Sequence, residues 1–254
     1  MSSMPLILAI ETATLACSVA VFKGEKVIAH RHDIGPSYVH AERLLPFIDH
    51  VLRDAGIASK ELGAIAVSAG PGSYTGLRIG VATAKGLCHA LEIPLIATDT
   101  LESLAFQASR MTTRPPDAVV AVLDARRDEV YTATYAPNGS GWAVVEPTRA
   151  LILEPHVGLD HLFPFAASHP HVVVIGDAAQ KTQRLLSSLT DSWSFIEGHP
   201  NAMDTSAPAT QRFANREFED LAYFEPRYLK EFIAGTPRDP LGLRNRALDS
   251  PPLS

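Results

Sequence analysis

The chain has 254 residues, 46% of them hydrophobic and 20% charged, with a net charge of −6. That is an ordinary globular make-up, enough for one large domain or two small ones that each bury a core. The acidic balance, with a pI of about 5.9, argues against a chain that holds nucleic acid by itself, since neutralising phosphates takes a basic surface. It leaves room for a complex in which other members hold the nucleic acid.

The first apolar run, 6–10, has no basic residues before it and stops at Glu11, which does not suit a signal peptide. No stretch approaches the roughly 20 apolar residues of a membrane span. The two cysteines, Cys17 and Cys88, sit in apolar segments without metal-ligand spacing. They suit buried free thiols in a reducing compartment, so a cytoplasmic protein is expected.

In chain order, 6–10 reads as a buried central strand. A turn at Glu11-Thr12-Ala13-Thr14 leads to a second strand, 16–22, and Lys23-Gly24-Glu25-Lys26 forms a hairpin turn. The alternating segment 27–33 suits an edge-like third strand. A helix follows over 38–55, with Leu44, Leu45, Phe47, Ile48, Val51 and Leu52 recurring at threes and fours and Gly56 as its C-cap. Pro46 marks either a kink or the start of a second helical segment. After a helical turn at 59–62 come a fourth strand, 64–68, a glycine-rich loop, a helix over 75–91 and a fifth strand, 93–97. Thr98-Asp99-Thr100 caps a helix over 101–108.

After a Pro115-Pro116 linker the pattern restarts. Strand 118–123, a charged turn from Asp124 to Asp128, strand 129–135, a turn at 138–141 and strand 142–145 repeat the opening plan. A strand over 172–175 precedes a helix over 179–189, and 207–215 and 216–222 read as helix. From Gly235 onward the prolines and scarce core formers suggest a disordered tail.

The loop Ala69-Gly70-Pro71-Gly72-Ser73-Tyr74-Thr75-Gly76-Leu77-Arg78-Ile79-Gly80 is the chain's most distinctive stretch. A strand running through glycines into a helix N-terminus can cradle an anion. It can equally be a tight turn that lets the helix approach the sheet closely. It is not a P-loop, because five residues separate Gly70 from Gly76 and Leu77-Arg78 follow. Nor is it a nucleophile elbow, because Tyr74 stands where that motif needs Ser.

Glu11 and Asp124 end equivalent strands, where two acidic turns could hold a nucleotide and its metal. Such turns need glycine so that backbone amides can approach phosphate. Thr12-Ala13 and Ala125-Arg126 follow the acids instead, which disfavours an autonomous ATP site. His40 opens an exposed-looking helix without a second histidine: Arg43 and Leu44 occupy the positions a metal pair needs. His169 and His171 have no matching cluster, and Arg126-Arg127 beside Asp128-Glu129 is most simply a self-paired turn. No catalytic set and no metal site is read from the residues.

Several of these segments together resemble the bacterial TsaB (YeaZ) family. They are Ile10-Glu11-Thr12-Ala13-Thr14 with Cys17-Ser18-Val19-Ala20, His40 with Leu44-Leu45-Pro46, the run from Gly70 to Gly80, Asp124-Ala125-Arg126 with Glu129-Val130-Tyr131, and Pro226 with Tyr228-Leu229. They span nearly the whole chain, and the glycine run is the specific one. The first turn carries Glu11 where many relatives have Asp. The resemblance implies an α/β, two-lobed actin-like ATPase (RNase H-like) fold of duplicated β-β-β-α-β-α units. The first lobe, 1–109, would bind the partner. The second, 110–234, would send its last helix back to the first, and 235–254 would be a tail.

The resemblance also implies a function. The chain would be a non-catalytic paralogue of the TsaD enzyme, needed for that enzyme's N6-threonylcarbamoyladenosine modification of tRNA. TsaD-like and TsaE-like proteins would be partners, tRNA would be met only through the complex, and the chain alone would form a homodimer. The two first-lobe helices would form the partner surface, with His40, Leu44, Leu45, Ile48, Arg78, Ile79, Ala82 and Lys85 as candidates. Glu11, Thr12, Gly70, Gly72, Ser73, Arg78 and Asp124 are the candidates for contact with nucleotide phosphate. No cofactor of its own is expected, with ATP or ADP confined to the junction with TsaD. The competing reading is an autonomous ATP-dependent phosphotransferase or glycoprotease-like enzyme of the same fold; a plain self-associating scaffold is a third.

Overall fold

A computed structural model describes residues 4–35, 39–139, 141–154, 156–186 and 192–230. The expected helix start at 37–38, the helix end at 189 and the tail after 235 lie outside these residues.

The first half runs β1 (Leu6–Glu11), β2 (Ala16–Lys23), β3 (Lys26–Ile34), α1 (His40–Ala55), β4 (Leu62–Ser68), α2 (Tyr74–Leu91), β5 (Leu95–Thr98) and α3 (Thr100–Met111). The second runs β6 (Ala118–Asp124), β7 (Glu129–Asn138), β8 (Gly141–Ile152), the one-turn helices α4 (Leu159–Leu162) and α5 (Pro164–Ala167), β9 (Val172–Gly176), α6 (Ala179–Leu186) and β10 (Ser194–Glu197). A 3-10 turn, Ala202–Thr205, and α7 (Ser206–Ala214) follow.

The two sheets are copies of one plan. The first is ordered β3-β2-β1-β4-β5 and the second β8-β7-β6-β9-β10. In each, the opening strand pairs antiparallel with the second and parallel with the fourth. This repeated 3-2-1-4-5 order is the two-lobed actin-like ATPase (RNase H-like) architecture.

β1 is central and covered on both faces, which is why it is apolar without alternation. Leu8 and Ile10 face a core shared with α1 and α2, through Leu44, Ile48, Val51, Val81, Ala84 and Cys88. Ile7 and Ala9 face the opposite core with Ala202 of the 3-10 turn and Ala209 of α7. In the second sheet, Val120 and Val122 face α5 and α6, while Val119, Ala121 and Leu123 face Leu101, Leu104, Ala105 and Ala108 of α3. The halves thus exchange elements: α3 covers the second sheet, and α7 returns to the first.

Gly56, at φ 68, caps α1, its amide bonding to the Arg53 carbonyl. Asp99 Oδ1 caps α3 by accepting from Leu101 N at 2.8 Å and Glu102 N at 3.3 Å. Pro46 lies inside a single helix, α1, so it starts no second segment.

Two further expectations are corrected, and one strand lies where none was expected. β8 runs to Ile152 rather than 145, because β7 pairs with it along almost its whole length. β10 reads poorly in sequence because it is four residues long. Residues 216–222 are not a helix. Arg216 sits at φ 58 after α7, and Glu219 N donates instead to Leu95 O at 2.9 Å, an isolated bridge to β5. A long-range backbone bond overrides local helix propensity here.

Candidate functional site

The first acidic turn is built and closed by its own chain. Glu11 ends β1 and is buried. Its Oε1 accepts from Ala13 N at 2.7 Å, and burial pushes its carboxyl up to about 7. Two of the turn's carbonyls are engaged by neighbours. Ser73 N donates to Ala13 O at 2.6 Å, and His40 Nε2 meets Thr14 O at 2.8 Å. Thr12 Oγ1 donates to Gly76 O at 2.8 Å. The Thr14 hydroxyl, in turn, accepts from Ala16 N at 3.2 Å.

The glycine spacing explains this closure. Gly76 and Gly80 lie four residues apart on one face of α2, and Gly72 precedes its N-cap, Ser73, at the same spacing. A Cβ at Gly72 would lie 2.4 Å from Ala13 O, one at Gly76 2.1 Å from Thr12 O, and one at Gly80 2.3 Å from Thr12 Oγ1. The three glycines therefore let α2 lie directly on the turn. Ser73 is the N-cap of α2, its Oγ accepting from Gly76 N at 3.2 Å. Gly70, at φ 112, is met from the other side, where a Cβ would lie 2.8 Å from Arg227 O. The contacts of this loop are those of close packing: Glu11 bonds to Ala13, Thr12 and Ser73 bond to Gly76, and Gly70 and Gly72 lie against Arg227 and Ala13.

The second acidic turn is closed differently. Asp124 ends β6 and is exposed. Asp177, after β9, accepts from Asp124 N at 2.8 Å, and burial raises its carboxyl. Asp124 Oδ1 accepts from Arg126 N at 2.9 Å and from Lys181 of α6. The same ammonium donates to Arg127 O at 2.9 Å and Glu129 O at 2.8 Å. An internal cation thus sits on the turn's acceptors. Arg126 and Arg127 take left-handed φ of 71 and 52 to form it.

The expected partner residues divide into three groups. His40, Leu44 and Ile48 are buried, at 1%, 1% and 5% exposure, which corrects the reading of an exposed helix start. Their side chains are the face α1 lays on the sheet, and burial holds His40 below the ordinary histidine range. Leu45, at 60% exposure, and Ala82 face outward, and Ile79 is half-buried. Arg78 and Lys85 are already engaged within the chain. The Arg78 guanidinium lies 4.2 Å over the Tyr74 ring, and its Nε donates to Tyr228 OH at 3.3 Å. Lys85 Nζ donates to Phe224 O at 3.0 Å and Ala222 O at 3.4 Å.

These last contacts reveal residues that the local pattern could not supply. The segment 216–230 crosses α2, and Glu219, Phe224, Arg227, Tyr228 and Lys230 carry its contacts. Only Pro226 and Tyr228-Leu229 carried any signal, through the family resemblance. With Arg212 and Ala97 the segment also lines an open cavity of about 640 Å³. Among the described residues, no group of three or more His, Cys, Asp or Glu is placed to hold a metal ion. No helix there is long and apolar enough to cross a membrane.

Comparison with known proteins agrees with this geometry. Residues 36–236 match the family model described as TsaD, tRNA N6-adenosine threonylcarbamoyltransferase. The tRNA threonylcarbamoyladenosine biosynthesis protein TsaB of Escherichia coli K12 is 34% identical over 90% of this chain and 96% of its own length. The TsaB protein of Bacillus subtilis is 30% identical over 88% of this chain and 93% of its own. Among solved structures, a protein from Pseudomonas aeruginosa described as similar to peptidase YEAZ superposes with a TM-score of 0.77. It is 29% identical, covering 89% of this chain and all of that one. With a two-lobed fold, a glycine helix closed over its first acidic turn and relatives matched along nearly their full length, the chain belongs to the TsaB (YeaZ) family, within the wider group that the TsaD model describes.

Proposed function

We propose that this chain is a non-catalytic subunit required for N6-threonylcarbamoyladenosine modification of tRNA, and that it binds and activates a TsaD-like transferase. Its part in that modification follows from the family and from the names its relatives carry. The observation that carries the rest is the closure of both acidic turns by the chain's own groups. α2 seals Glu11 sterically, and Lys181 neutralises Asp124. Backbone amides that would cradle phosphate are bonded to the chain's own carboxylates at Ala13 and Arg126. His40 has its Nε2 on a backbone carbonyl, and Leu44 fills the place of a second ligand.

In this reading the outer side of α1 and α2, with Leu45 and Ala82, meets the TsaD-like subunit. The same side pairs two copies when the partner is absent. A TsaE-like ATPase joins the assembly, tRNA is met through the other subunits, and ATP or ADP sits at the junction with the transferase rather than in this chain's own turns.

The test is modification reconstituted with the TsaD-like and TsaE-like proteins, with and without this chain. Modification should require it. The purified chain should not turn over ATP at about 1 per second, a rate typical of an enzyme. Turnover at that rate without a partner would instead favour an autonomous phosphotransferase. Ala82→Glu should abolish partner binding in a pull-down while the monomer stays folded, because an interface cannot cheaply bury an unpaired charge. Full binding by that variant would place the surface elsewhere.

A further inference from the structure

The segment 219–230 is tied to three separate places in the fold. At its start, Glu219 N bonds to Leu95 O of β5, and Leu221 and Phe224 lean on the first core. In the middle, Lys85 of α2 reaches up to the Ala222 and Phe224 carbonyls. Arg227 N donates to Ala69 O at 2.7 Å, at the mouth of the glycine loop. Tyr228 then packs at a tilt against Tyr74, centroids 4.7 Å apart, and its hydroxyl accepts from Arg78. At its end, Lys230 crosses to the second sheet, where it pairs with Glu129, reaches Ala125 O and lies over the Tyr131 ring. One strand of chain therefore joins β5, the face of α2 and the second acidic turn.

Its hold is shallow. No residue from 215 to 230 is buried, and Tyr223 is 83% exposed. The Arg78 contact is exposed too. Segments with little buried apolar surface and solvent-exposed backbone bonds open locally at low cost. What opening would uncover is specific: Tyr74, Arg78 and Lys85, flanking Ala82 on the outer side of α2.

We propose that residues 219–230 form a detachable interlobe latch whose seat on α2 competes with capture of the TsaD-like partner. Seated, the latch occupies Arg78 and Lys85 and ties the glycine loop to β7. Lifted, it hands those two cations to carboxylates or backbone carbonyls of the partner and releases the tie between the glycine loop and β7. This rests on the reading of α2 as the partner face.

The test is amide hydrogen exchange on the full chain, free and with the TsaD-like protein, alongside binding by Tyr228→Ala. In the free chain the Glu219 and Arg227 amides should exchange at least about tenfold faster than that of Val67 in β4, as local opening requires. Adding the partner should raise their exchange further. Tyr228→Ala should bind about threefold tighter or more at an unchanged melting temperature, since the seat no longer taxes binding. If those amides exchange only with the core, or if a complex forms with their protection kept or increased, the latch is overturned while the partner reading stands. If neither wild type nor variant forms a complex, the partner reading falls and the competition falls with it.

Discussion

The two acidic turns occupy the same place in two copies of one sheet, yet they are closed by opposite means. At Glu11 the closure is steric. Three glycines bring a helix onto the turn, the carboxylate is buried, and its proton is held up to pH about 7. At Asp124 the turn stays exposed and its charge is matched by Lys181. A duplicated fold can thus close the same turn in one copy through packing and in the other through an internal ion pair.

The strongest way to break the comparison is Gly76→Ala. The added methyl would meet a backbone oxygen rather than a flexible side chain. Destabilisation of about 3 kcal/mol or more is expected from such overpacking, read from denaturant midpoints. A near-neutral change would show that α2 does not seal the turn.

Glu11→Gln comes next, and its effect depends on pH. The native carboxyl is raised from 4.5 to about 7. Between those values the folded state binds more protons than the unfolded one. Wild-type stability from this group is therefore full below pH 4.5 and is lost as pH rises through 7. Glutamine carries no such loss. The variant should gain on wild type by up to about 3 kcal/mol between pH 4.5 and 8, since each tenfold change in proton affinity is worth roughly 1.4 kcal/mol. A pH-independent difference would mean Glu11 is not held protonated. Taking the difference between the proteins cancels the opposing contributions of His32 and His40. Burial lowers both histidines, so their contribution to stability falls as the medium is acidified.

At the second turn, Lys181→Met should cost about 1–2 kcal/mol, mostly through the two carbonyls its ammonium serves. The pair with half-exposed Asp124 adds little. Asp124→Asn should recover part of that loss in the double variant. Strict additivity would argue against charge matching.

The smallest effect serves as the control. Gly86 lies on the same helix with open space around it. Gly86→Ala should stabilise by about 0.5–1 kcal/mol from helix propensity alone, the opposite sign to Gly76→Ala. Destabilisation there would mean glycine matters to α2 for a reason other than the turn.

Much of this was readable in the residues. The apolar runs, the Gly56 and Asp99 caps, the restart at Ala118 and the two acidic turns follow from periodicity and turn chemistry, which are local properties. So does the absence of a P-loop. The glycine-rich run from Gly70 to Gly80 was also plain, but it admitted both an anion cradle and close packing. Which one holds depends on Thr12 and Ala13, some sixty residues away. The side of α1 that His40, Leu44 and Ile48 take could not be assigned from the helix alone, because a stripe of apolar positions fits a sheet as well as a partner.

The latch shows the limit most clearly. Residues 216–222 look helical, and their state is decided by Glu219 meeting Leu95 and by Lys85 meeting the Ala222 carbonyl, 137 residues distant. The sequence by itself determined most of the elements, the duplication and the family, since those rest on patterns along the chain. Only the tertiary structure decided which turns are closed and which surface groups are already taken. Those outcomes are set by distances between remote segments, to which no local propensity responds.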